Sequence, residues 1–114
     1  MKENIIKDKS FAFALSIIKL YTHLKNNKEY IISKQLLRSG TSIWANVEEA
    51  IAGQSRKDFI MKLSIASKEA RESKYRLLLL QESHIVSWDY KKYLWDIEGI
   101  INILTKIIKT TTWK

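Results

Sequence analysis

Apolar residues recur along this chain three and four positions apart, the spacing that stacks side chains on one face of a 3.6-residue helix. Ile6, Phe13, Ile17, Leu20 and Leu24 make the first stripe, predicting a helix from about Ile6 to Asn26. Asn26-Asn27 is its expected stop, because Asn tolerates turn conformations. Leu36, Gly40, Ile43, Val47 and Ala50 make the second, from about Ile32 to Ala52, with Gly53 expected to close it at positive φ. Phe59, Leu63, Ala66, Ala70, Ser73, Leu77 and Leu80 align in a third helix over 56–83. Ser55 is its expected N-cap, and Asp58 sits near the positive end of the helix dipole. Tyr90, Leu94, Ile97, Ile101, Leu104 and Ile108 mark a fourth helix over 88–110, with Ser87 as cap and Asp89 in its first turn. Pro is absent and Gly occurs at Gly40, Gly53 and Gly99, so little breaks these helices and turn-rich β folds are disfavoured. Four such helices joined by short connections pack most simply as an all-α, antiparallel up-down-up-down four-helix bundle. At 114 residues the chain is expected to be one domain, able to bury a core without metal or disulfide.

Two of the helices carry more apolar surface than one seam requires. Leu37, Trp44 and Ile51 repeat every seven residues beside the second helix's main stripe, as do Tyr93, Ile100 and Ile107 beside the fourth's. Left unpaired, such stripes would expose apolar patches of a size that soluble monomers rarely show. They predict either a subunit interface or a wide-faced bundle that buries both stripes internally.

Gln35, Arg38, Ser42, Asn46 and Glu49 form a polar stripe along the second helix, and Glu69 and Glu72 on the third are their candidate partners. The arrangement is read as a structural hydrogen-bond and ion-pair network, with Asp58–Lys62 and Glu72–Arg76 as further pairs within the third helix. A metal reading fails on ligand count. Bundles that hold two metal ions use a Glu-x-x-His pair on two helices, whereas Glu69-x-x-Glu72 lacks the His and His23 and His84 are solitary. Glu48 and Glu49, being adjacent on a helix, point about 100° apart and cannot share a substrate. No nucleophile motif, Gly-rich phosphate loop or His-containing triad is present, so no catalytic residue and no cofactor is expected. The absence of Cys excludes disulfides and thiolate chemistry and is compatible with a reducing cytoplasm. No apolar run approaches the ~20 residues of a membrane span.

The formal charge of +8 favours anionic partners, RNA or DNA among them. Lys57, Lys68 and Arg71 share one stripe of the third helix with Met61, Ser64 and Tyr75, so cations would grip phosphates where Tyr75 stacks on a base. Lys2, Lys7 and Lys9 near the start and Lys106, Lys109 and Lys114 near the end add charge. The other reading is that these are solubilising surface residues. A protein partner recognised through the apolar stripes is the alternative function.

With these residues laid out, the chain resembles the bacterial four-helix-bundle proteins encoded within 23S rRNA intervening sequences. The likeness is densest in Gln35-Leu36-Leu37-Arg38-Ser39-Gly40-Thr41-Ser42-Ile43, Ala45-Asn46 and Glu49-Ala50. It continues through Ser55-Arg56-Lys57-Asp58-Phe59-Ile60, Lys62-Leu63, Lys68-Glu69-Ala70-Arg71-Glu72 and Tyr75. The resemblance implies an antiparallel four-helix bundle assembled as a homopentamer. It also brings in a related protein, the accessory protein of diversity-generating retroelements, a basic pentamer that binds nucleic acid. Two positions depart from the pattern. Trp44 stands where relatives usually carry a small residue or Pro, which bears on packing and subunit contact, and Glu48 replaces what is often Arg or Ala, which bears on any cationic role.

Overall fold

The computed structural model describes residues 2–112, with side chains from Ile5 to Thr112, so Lys2 and Lys114 lie outside the described side chains. Four helices run in order: α1 (Lys2–Asn26), α2 (Ile32–Ala52), α3 (Arg56–Ser83) and α4 (Lys91–Thr112). Each packs against two neighbours, α1 on α2 and α4, and α3 on α2 and α4, while the diagonal pairs stay apart. The result is an elongated all-α bundle about 46 × 20 × 20 Å. Cross-helix contacts fix the antiparallel sense. Lys7 meets Glu48 and Phe11 meets Trp44 between α1 and α2, and Arg38 meets Glu69 while Gln35 meets Arg76 between α2 and α3.

The helix ends follow local chemistry, not always the expected residue. Ser55 caps α3, its hydroxyl accepting from the Asp58 amide at 3.1 Å. The start of α2 is held by Glu29, whose carboxylate accepts the amides of Ile31, Ile32 and Ser33 at 3.0, 3.0 and 2.6 Å. A carboxylate there meets both the orphan amides and the positive dipole end. Gly53 does not take positive φ as expected; it is extended at φ −63°, ψ 153°, and its amide donates to the Ala50 carbonyl. The left-handed turns fall instead on Lys28 (φ 66°), just beyond Asn26-Asn27, and on His84 (φ 57°) after α3. Ser87 does not cap α4, which begins later, at Lys91, whose amide donates to Asp89 Oδ1 at 3.0 Å. Between them the Tyr90 hydroxyl donates to the Val86 carbonyl at 2.8 Å and buries the turn.

One core joins all four helices. Phe13, Ile17 and Leu20 of α1 meet Leu36, Ile43 and Val47 of α2, Leu63, Leu77 and Leu80 of α3, and Ile97 and Leu104 of α4. Gly40 lies at a close approach of α1 to α2: a Cβ added there would sit 3.0 Å from Ile17 Cγ2. On α4 the seam is wider than expected. Ile100 and Ile107, read from the sequence as interface residues, are only 1% and 5% exposed and belong to the core. Tyr93 packs against that core partly buried. The wide-faced reading therefore holds for α4, because burying Ile100 and Ile107 removes apolar area that water would otherwise cover.

Candidate interaction surfaces

Three surfaces collect the residues singled out above. The first is the α2–α3 seam. Ser39 and Ser73 meet in the buried interior with hydroxyl oxygens 2.8 Å apart. Toward the surface Arg38 lies 3.7 Å from Glu69, and Arg76 is shared by Gln35 and Glu72, each at 3.5 Å. Glu69 is the enclosed member, its side chain 13% exposed. Burial, then the neighbouring Glu72 carboxylate, push its carboxyl above the ordinary 4.5, with the Arg38 guanidinium opposing them. Glu69 Oε2 is buried and has no hydrogen-bond partner among the described residues. Gln35, Arg38, Glu69 and Glu72 thus come together with Arg76, whose bond to Gln35 the helical spacing did not reveal. Ser42, Asn46 and Glu49 stay apart from them: the Asn46 amide donates back to the Ser42 carbonyl within α2, and Glu49 is exposed. Asp58–Lys62 is not among the ion pairs of the described residues, which include Arg76–Glu72 and Lys92–Asp96.

The second surface is apolar and spans α1 and α2. Leu37 and Trp44 are half-buried and Ile51 is exposed, so this flank of α2 does face outward. Beside it stand Phe11, Leu15 and Ile18 of α1, all exposed and spaced by four and three. Phe11 and Trp44 meet as a tilted pair, with ring centroids 5.3 Å apart and planes at 56°. The bulky Trp44 is therefore accommodated by lying against Phe11 on the bundle's outside. Glu48 is engaged there too, 3.7 Å from Lys7. Leu37, Trp44 and Ile51 were singled out from the sequence, but Phe11, Leu15 and Ile18 were missed, although their spacing of four and three was the signal that could have found them.

The third surface is cationic. Lys57, Lys68, Arg71 and Tyr75 are all exposed on one side of α3, Tyr75 at 57%. None of the three cations lies within ion-pairing distance of a carboxylate among the described residues, whereas Lys7, Arg38, Lys74, Arg76 and Lys92 do. On the other side of α4 a groove of about 230 Å³ separates it from α1, floored by Gly99 and edged by Lys9, Ser16, Lys92 and the highly exposed Trp95. No group of three or more residues able to hold a metal ion occurs among the described residues, and no helix there is long and apolar enough to cross a membrane.

Comparison with known proteins gives these surfaces a setting. The family model described as 23S rRNA-intervening sequence protein matches residues 2–106. Among solved structures, the chain is similar to a protein of unknown function from the S23 ribosomal protein family of Bacteroides thetaiotaomicron VPI-5482. The two are 49% identical with a TM-score of 0.91, covering 96% of this chain and 99% of the other. No curated protein matches. Most stretches that carry the sequence resemblance have structural work in this fold: Gly40 lets α1 approach, Ser39 bonds Ser73, and Arg38 pairs with Glu69.

Proposed function

The chain belongs to the 23S rRNA-intervening sequence protein family, and from that premise we propose that it is a non-enzymatic, self-assembling bundle that binds RNA or DNA. The observation that carries this reading is the α3 face, where Lys57, Lys68 and Arg71 stand exposed beside Tyr75 and form no ion pair with a carboxylate among the described residues. Unpaired cations attract a polyanion because each phosphate contact releases condensed counterions, and an exposed Tyr offers a stacking platform for an unpaired base. Self-assembly rests on the α1–α2 apolar face, where Phe11, Leu15, Ile18, Leu37, Trp44 and Ile51 suit a second copy of this chain. In a homopentamer the formal charge of +8 per chain would pool to about +40, a field strong enough for non-specific nucleic-acid binding. A cytoplasmic location goes with this reading.

The test is a titration of a labelled oligonucleotide at rising salt. Micromolar binding that weakens steeply between ~50 and ~200 mM salt is expected. Absent or salt-independent binding would overturn the nucleic-acid role. It would leave the alternative, a scaffold whose α1–α2 face takes a partner protein; the exposed Phe11 and Leu15 favour that reading if light scattering finds single subunits.

A further inference from the structure

The seam between α3 and α4 changes character along its length. At one point Lys74 lies 3.1 Å from both oxygens of Glu98, a closed bidentate pair. One helical turn away the seam opens into a cleft of about 310 Å³ lined by Ser64, Ser67, Arg71, Thr105, Ile108 and Lys109. No carboxylate is among them. Arg71 and Lys109 come from different helices, and neither pairs with an acid among the described residues. Glu98, the acid nearest along this flank of α4, is already held by Lys74.

The hydroxyls complete the chemistry. Ser67 is 5% exposed, its hydroxyl makes no hydrogen bond among the described residues, and it borders the cleft. Ser64, one turn away, is exposed at the rim. Thr105 already donates to the Ile101 carbonyl at 2.7 Å, so it forms wall and leaves donation to the two serines. A guanidinium fork, an ammonium and two hydroxyls, approaching from two helices with no competing acid, suit a tetrahedral anion with several acceptor oxygens better than a flat carboxylate.

We propose that this α3–α4 cleft is a phosphate-binding site that seats one backbone phosphate of a bound nucleic-acid strand, with Arg71 and Lys109 neutralising it and Ser64 and Ser67 donating to it. The inference rests on the nucleic-acid reading above and adds to it a defined seat. Along the same α3 stripe Lys57 lies on one side of the cleft, Lys68 at its middle and Tyr75 on the other side, so a strand held in the cleft extends toward Lys57 at one end and Tyr75 at the other.

The test is fluorescence anisotropy with a labelled single-stranded RNA 20-mer, using the full chain. The pair Arg71→Gln/Lys109→Gln is expected to weaken binding at least about tenfold and to make the salt dependence shallower by about two charges. Ser64→Leu, which fills the rim without changing charge, is expected to weaken binding about threefold or more. Lys19→Gln/Lys34→Gln removes the same charge from exposed positions on α1 and α2 and should cost less than threefold. All five substituted positions are exposed, and circular dichroism checks that each variant stays helical. Equal losses for the two charge pairs, with Ser64→Leu unchanged, would show a diffuse field: the cleft assignment falls and nucleic-acid binding stands. Absence of binding by the unaltered protein would overturn both.

Discussion

On α2, Leu37 and Trp44 stay half-buried and Ile51 exposed, whereas on α4 Ile100 and Ile107 disappear into the core, although both stripes repeat every seven residues beside a main seam. The difference lies in the neighbour. Against α2, helix α1 comes so close that a Cβ at Gly40 would press on Ile17, 3.0 Å away. Two helices drawn together that tightly leave the flanking side chains nowhere to go but outward. Against α4, the same α1 leaves a groove outside Gly99, whose position has nothing within 4 Å of an added Cβ. The looser seam lets the flanking Ile side chains turn in. A second apolar stripe therefore reports surplus greasy surface, and the approach distance of the adjoining helix decides whether a core or another molecule covers it.

Substitutions on the two stripes can break this comparison. The largest effect is expected for Ile100→Ala, which should cost about 2–5 kcal/mol in urea unfolding by emptying a core position. A loss under about 1 kcal/mol would put Ile100 back on the surface. Next is Gly40→Ala. Alanine by itself favours a helix by about 0.5–1 kcal/mol, but its methyl would push the fully buried Ile17 against the core, so a net loss of about 1–2 kcal/mol is expected. A gain in stability would mean that the α1–α2 approach is not what crowds the flank. Trp44→Ser should change the subunit's own stability by about 1 kcal/mol or less while lowering the particle mass in light scattering toward the 13.4 kDa of one chain. An unchanged mass would remove the α1–α2 face from the assembly.

The smallest effect concerns the polar seam that both stripes leave alone. Because Glu69 is held above its ordinary 4.5, the folded state favours its protonated form. Its contribution to stability is then fully present below 4.5 and is lost as pH rises through the elevated folded value. Glu69→Gln keeps the shape and removes that titration. The stability difference between the two proteins should shift in favour of the variant from pH ~4.5 upward, and a constant difference across urea midpoints would refute the burial effect.

The fold was legible because it depends on a repeating local signal. Stripes such as Phe13–Ile17–Leu20 or Ile97–Leu104 specify helices, and four of them on a short chain leave little choice but a bundle. Helix ends were less legible. Ser55 announced itself by type, whereas the Glu29 cap depends on how the chain turns after Lys28, and the left-handed residue after α3 proved to be His84 while Gly53 stayed extended. Among the polar residues, Arg38 and Glu69 were readable as partners, but Ser42, Asn46 and Glu49 share their stripe without joining them, because a stripe fixes direction and not reach.

What the sequence determined by itself was the helices, their order, the excess of positive charge and the lack of any metal or nucleophile motif. All of these are properties of composition and of spacing within a turn or two. Only the tertiary structure decided that Ile100 and Ile107 turn inward while Trp44 lies against Phe11 outside, and that Arg71 and Lys109 line one cleft with two serines. Those outcomes join residues some 30 or more positions apart, and they depend on how closely each pair of helices approaches, a distance set by the side chains on both.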